Sequence, residues 1–536
     1  MIARPFLSNH RALWIRFCLS CLFFCTLRAD AAVVVEIGQN FTGSTYGVDT
    51  ALTPPDCNGV AGPDQFVELI NGRFTVYAKT NGDRLLTMRS EDFWTSSGLT
   101  FGAYVLPSDP RIIYDPSVQR WFASAIDVDF NASNGVSNRF LVAVSASADA
   151  AGTWKGLAFA ADPVTGNFAD FPTLGLDGNG VYLAAFMFTS DSANATDLGQ
   201  TLVSIPKTDL LKNYPTAEHR TWFGLLDSDN YGYVLQPVVN FDTSVGDAAV
   251  LAMGDLGYDY GAHSNLVSFA VQNAAGPAAA TLTMPASINV DPYYVPINPT
   301  QPDGNNTLDD GDARFSAKVY QLGGVLYAVH GCQVNGHAAL CWYQIRAANQ
   351  TLLQWGTIAQ TNLDLFYPSI AANSCGTVVI GFNGCSTTTF VSSFAVVGDT
   401  VDGVTTFGAP ILLKAGLASY DRSDGRWGDY SSTCVDPADP NRFWTIQMYP
   451  VSSGTWATQI TEILTAIPKL TMTSTGADIV LCWPGSAVAF DIESAATIDA
   501  PTWTVVQQTT SWTAKGKVYL RLPATETAQF FRLHKP

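Results

Sequence analysis

The chain has 536 residues, 47% hydrophobic and 12% aromatic, enough to bury a large core, so a disordered protein is excluded. Only 14% of residues are charged, and 46 acids against 28 bases give −18 at pH 7, which excludes a basic nucleic-acid stripe and disfavours attraction to anionic lipid. Scarce Lys, Glu and Arg beside 44 glycines and plentiful Thr, Val and aromatics predict β structure.

Arg4, Arg11 and Arg16 precede an apolar run from Phe17 to Leu27, closed by Ala29-Asp30-Ala31. Residues 1–31 therefore read as a secretory signal, and the protein is expected to be secreted or held at the cell surface. The apolar run is about 11 residues, short of the ~20 a membrane span needs, and no later stretch approaches one. Without residues 1–31 the chain carries 24 bases and 45 acids, a charge near −21, and seven cysteines: Cys57, Cys332, Cys341, Cys375, Cys385, Cys434 and Cys482. Cys332 and Cys341 flank a short Gly-containing loop between strand-like runs and are the expected disulfide pair. Cys375 and Cys385 are separated by the strand-like Gly376–Phe382, which sets them roughly 30 Å apart, beyond disulfide reach. Beyond residue 31 no CxxC or HExxH occurs and the histidines are scattered, so no transition-metal site is expected.

A paired-strand pattern then recurs, beginning at Pro63, Pro110, Pro172, Pro237, Ala313, Pro368 and Gly428. Each copy has a polar or Pro start, an apolar strand, a turn such as Asn71-Gly72 or Gly323-Gly324, and a second strand rich in aromatics and Val. A third strand follows each pair and a fourth several of them. Four antiparallel strands repeated about seven times predict a β-propeller over 61–467, with seven blades and six or eight as alternative counts. The orphan strand in Ala32–Phe41, within a lead-in over 32–60, is expected to complete the last blade and remove exposed edges. Residues 468–536 hold five or more alternating strands without the repeat, read as a small β-sandwich.

Ligands of propellers usually bind where the innermost strands begin. That ring reads Asp64, Asp109, Arg111, Asp170, Gln236, Asp312, Arg314, Tyr367, Arg426, Asp429 and Tyr430. Its densest polar groups, Asp109, Arg111, Asp312, Arg314, Arg426, Asp429 and Tyr430, form the candidate binding site at the channel mouth. Arginine forks bind carboxylates bidentately, so the competing expectation is that these Asp and Arg residues pair with each other and staple adjacent blades.

The run Ser147-Ala148-Asp149-Ala150-Ala151-Gly152-Thr153-Trp154 resembles the Asp box of sialidase-like propellers, Ser-x-Asp-x-Gly-x-Thr-Trp, with its Gly displaced by one. Asn349-Gln350-Thr351 before Trp355 is a degenerate echo. The Leu481-x-Trp483 strand and Phe530–Leu533 are similar to the short, fibronectin-like C-terminal sandwich of exported bacterial proteins. The first resemblance implies a rim folding element, and by extension a sialidase-like site with Arg111, Arg314 and Arg426, Tyr430 as nucleophile and Asp109 as acid. Against that extension, the early Phe-Arg-Ile-Pro motif of that superfamily is missing and no Glu lies between Glu218 and Glu462 to polarise the tyrosine.

Two acidic clusters, Asp227 to Asn230 and Asp303 to Asp312, offer oxygen ligands suited to calcium, but neither completes an EF-hand loop, and such clusters are more often plain turns. No cofactor is expected, calcium being the one the acids could take. No nucleophile–base set is legible, so catalytic residues stay unassigned. The expected function is an extracellular ligand- or glycan-binding propeller without catalysis, taking a glycan or a small anionic ligand. The alternatives are a sialidase-like glycoside hydrolase and a surface-displayed or assembly component.

Overall fold

The computed structural model describes residues 33–534, except 132–136, 193, 243–245, 303–307, 423–425, 467–469, 475–476, 485–490, 499, 501, 508–509, 515–516 and 525–528. The expected secretory signal and the first half of the 303–312 acidic cluster therefore lie outside the described residues. Nearly every element is a strand, and the three helices among the described residues (Ser90–Ser96, Lys207–Leu210 and Ser228–Tyr231) are short connectors. No helix among the described residues is long and apolar enough to cross a membrane.

The described strands group into antiparallel meanders around a channel, a β-propeller, two of them merged into one nine-stranded sheet by the parallel pairs of Val239–Asn240. Their innermost strands are Gly59–Ala61, Val105–Asp115, Phe168–Leu176, Tyr233–Pro237 continued by Val239–Asn240, Tyr320–Leu322, Asp364–Ala372 and Ser432–Asp436. Adjacent innermost strands touch, and Gly59–Ala61 meets both Val105–Asp115 and Ser432–Asp436, so the ring has no open side. The N-terminal strand Val34–Thr45 pairs antiparallel with Thr455–Ala466 and supplies the outer strand of the last meander. Both chain ends of the ring are thereby tied into one sheet.

Large aromatics fill the spaces between meanders. Trp94, Trp121 and Trp154 are buried together with Trp444 and Trp456 in one apolar cluster that joins the first, second and seventh meanders. The Asp box occupies the turn between the strands Arg139–Ser145 and Trp154–Ala160. There Asp149 accepts hydrogen bonds from Gln65 Nε2 (2.7 Å) and Ala151 N (3.0 Å), and Trp154 Nε1 donates to Ala150 O (2.8 Å). It closes a turn between the two outer strands of the second meander.

Two expectations are corrected. The first repeat copy, framed from Pro63, starts one strand late: Gln65–Ile70 is the second strand of its sheet, and the innermost is Gly59–Ala61. Asp56, rather than Asp64, therefore opens that strand. Cys332 and Cys341 are both buried and free, because the hairpin register sets Cys332 opposite Ala339 and Cys341 opposite His330. Cys341, together with burial, pushes the Cys332 thiol well up.

Residues beyond the ring form a four-stranded sheet (Thr471–Ser474, Asp478–Pro484, Lys517–Pro523, Ser511–Ala514) and a three-stranded one (Thr504–Val505, Asp491–Ala495, Phe530–His534). Leu481, Trp483, Ile492 and Leu520 are buried between them together with Val34.

Candidate functional site at the channel mouth

Four innermost strands share one irregularity at their mouth end. The register slips between Ser108 and Arg111, Asp170 and Thr173, Tyr233 and Gln236, and Phe366 and Ser369. Each slip holds a residue with a left-handed backbone: Asp109 (φ 54°), Phe171 (φ 49°), Val234 (φ 54°) and Tyr367 (φ 46°). Such bulges re-aim side chains and store strain, and they gather at functional sites. Three of them are followed by Pro110, Pro172 and Pro368, which supply no N–H to a ladder already interrupted.

A cavity of about 180 Å³ lies among these ends, lined by Asp170, Asp309, Asp310, Asp312, Arg314, Tyr367, Arg426 and Asp429 together with Phe171 and Phe366. A second, of about 550 Å³, continues between the second and third meanders, lined by Phe130, Phe168, Phe188, Ser108, Asp191 and Ser192. The two share one lining residue, the exposed Asp170, and so adjoin there.

The arginines do not converge on open space. Arg314 donates from Nε and Nη2 to the two oxygens of Asp312, each at 2.7 Å, and lies 4.5 Å above the Phe171 ring. Tyr258 adds a third bond to Asp312 (2.6 Å). Arg426 pairs with Asp429 at 2.5 Å. Arg111 is only 2% exposed. It donates to the carbonyls of Pro172 (2.9 Å) and Ser316 (3.0 Å) and stacks 3.4 Å from the centre of the Tyr430 ring. Arg111 thus reaches from the second meander to the fifth.

Of the seven expected site residues, Arg314, Arg426, Asp312 and Asp429 line the first cavity, whereas Arg111 and Tyr430 do not and are buried. Asp109 is joined to the mouth by its N–H to Asn71 Oδ1 (3.0 Å), while Asn71 Nδ2 donates to Asp56 Oδ2 (3.0 Å). Tyr430 is buried. Its hydroxyl donates to Pro110 O (3.0 Å), and burial, relieved only in part by Arg111, pushes its pKa well up. Sequence reading missed Asp56, Asp310, Asn58 and Lys318 as channel residues. Asp309 and Asp310 had appeared only as part of an acidic run.

Carboxyls dominate the mouth, and their environments diverge. Burial, then the charges of Asp170 and Asp429, push Asp109 up to about 7 against the opposing effects of Ser108 and Arg111. Burial, then Asp429 and Asp109, drive Asp56 well above the ordinary carboxylate range. Burial and then Asp309 do the same to Asp310, neither of whose oxygens has a hydrogen-bond partner. Asp312 goes the other way: burial opposes its ionisation, but Arg314 overrides it and holds the carboxyl below its usual value. Neutral acids that donate and ionised ones that accept therefore stand side by side. Two of the arginines at this mouth are already paired with carboxylates. No group of three or more acids, His or Cys among the described residues is arranged to hold a metal ion.

No protein-family model matches the chain, and none of the curated proteins does. Solved structures similar to it include a protein of unknown function from Dyadobacter fermentans, at 12% identity over 69% of this chain and 97% of that one, with a TM-score of 0.40. A Hadza microbial sialidase is 13% identical over 74% of each chain (TM-score 0.33). A polysaccharide lyase is 10% identical over 78% of this chain and 91% of that one (TM-score 0.37).

Proposed function

We propose that this propeller is an exported protein that binds an extended, neutral, polyhydroxylated ligand, a stretch of glycan, across its channel mouth. The observation that carries the reading is the pair of cavities adjoining at Asp170, read as one groove. At its inner end, Asp310, pushed up by burial, Asp312, held ionised by Arg314, and paired arginines offer interleaved donors and acceptors for hydroxyl groups. At its outer end, Phe130 (65% exposed) and Phe188 offer apolar faces on which a sugar ring can lie, beside Ser190, Asp191 and Ser192. Screening the purified protein on an array of neutral and acidic glycans tests this. Retention of neutral oligosaccharides is expected, and retention of sialylated glycans alone would contradict it.

One observation favours a second reading, hydrolysis of the bound glycan. Asp109, raised to about 7, is poised as a general acid, while Asp312 stays ionised. Chromogenic glycosides read it out: turnover lost in Asp109→Asn, with an alkaline limb near pH 7 in the wild type, would establish catalysis. No turnover at any pH would leave binding as the function.

A further inference from the structure

At the end of the channel away from the carboxyl-rich mouth lies a third cavity, of about 230 Å³, which shares no lining residue with the other two. Six of the innermost strands end around it, and Ala61, Tyr114, Phe241, Tyr320, Ala371 and Val435 each bring one of them to its wall. The wall is mainly apolar. Three of its polar side chains are already committed to the protein. Asp436 accepts from Lys79 Nζ on both oxygens (2.8 and 2.7 Å), from Trp444 Nε1 (3.0 Å) and from Ala438 N (2.9 Å). Asn373 donates to Pro440 O (2.7 Å) and accepts from Cys375 N (3.0 Å) and Thr377 N (2.9 Å), while Gln321 donates to Asp242 (3.1 Å). The half-buried Tyr320, by contrast, makes no hydrogen bond from its hydroxyl to a described residue.

Size and wall chemistry together define what fits. An apolar cavity of roughly 150 Å³ takes up a benzene molecule. This one is about half as large again, room for two fused rings. A charged ligand would meet Asp436, whose charge is already matched by Lys79. A sugar would leave most of its hydroxyls facing carbon, each at the cost of a lost hydrogen bond to water. Apolar and aromatic walls with a single uncommitted polar group suit a ligand of the same make-up. We propose that this cavity binds a small neutral aromatic molecule of the phenol or indole class. Its ring lies against Tyr114 and Phe241, and its one polar group bonds to the Tyr320 hydroxyl. The site is separate from the mouth and does not depend on the glycan reading.

The test is calorimetric titration of the whole protein with indole and with indene, which has the same shape but no N–H, beside benzoate and glucose. Indole and indene should bind, with a negative heat-capacity change from apolar burial, and benzoate and glucose should not. Tyr320→Phe keeps the ring and removes the hydroxyl. It should weaken indole about three- to tenfold, the worth of one hydrogen bond, and leave indene unchanged. Phe241→Ala removes a 40% exposed wall ring and should weaken both compounds about threefold or more. No binding of indole by the wild type, or wild-type affinity for it in both variants, would overturn the proposal. Binding of benzoate or glucose as tight as that of indole would overturn it too. Should the variants not fold, wild-type crystals soaked in 5-bromoindole decide the matter. An anomalous bromine peak inside this cavity supports the site, and its absence there rejects it.

Discussion

Arg314 grips Asp312 through two parallel N–H···O bonds and covers the Phe171 ring, and Asp312 is 6% exposed. Removing the guanidinium strands a buried carboxylate, so Arg314→Ala should cost about 3–5 kcal/mol in urea unfolding. A loss below about 0.5 kcal/mol would mean the pair is surface-like. Asp109 gives a pH signature of definite sign. Its folded pKa is about 7 against roughly 3.9 when unfolded, so the folded state holds the extra proton between those values. Stability should therefore fall as pH rises from about 4 to 7 and level off above, and Asp109→Asn should flatten that part of the curve. A wild-type curve that climbs through the same window, with no change in the variant, would contradict the shift. The Asp312–Arg314 and Asp429–Arg426 pairs were legible in sequence because their partners are two and three residues apart on one strand start. The Arg111–Tyr430 stack was not: its members come from the second and seventh meanders, and only ring closure brings them together.

At the scale of elements, Glu68 pins the closure of the ring. This buried side chain accepts from Ser44 N (3.2 Å) and Ser44 Oγ (2.7 Å) of the N-terminal strand, from Tyr77 OH (2.8 Å) and from Thr458 Oγ1. Glu68→Ala leaves those donors unsatisfied together and should destabilise by about 3–5 kcal/mol, seen as a lower urea midpoint and as faster hydrogen exchange in Val34–Thr45. Unchanged exchange there would show that the ladder with Thr455–Ala466 suffices alone. The strands themselves were readable because apolar runs, Pro starts and Gly turns agree along each copy. The first innermost strand was misframed for a physical reason: Gly59–Ala61 is three residues, too short to show alternation, and the Gln65–Ala78 hairpin beside it carries the stronger signal. The Cys332–Cys341 expectation erred similarly, since loop spacing does not fix which residues stand opposite in the register.

For the whole molecule, a carboxyl-rich mouth at one end of the channel meets the groove proposed through Asp170, which gives it its reach. This arrangement could not be read from the repeat, because it depends on which side chains cross the axis. The central claim, that the groove binds glycan, is tested most directly by calorimetric titration of an array-selected oligosaccharide into the wild type, Asp170→Ala and Phe130→Ala. Asp170 and Phe130 are exposed, so both variants should melt within about 0.5 kcal/mol of the wild type. Each should weaken binding about tenfold or more, the loss of about 1.4 kcal/mol or more of contact. Affinities equal to wild type in both variants would contradict the account.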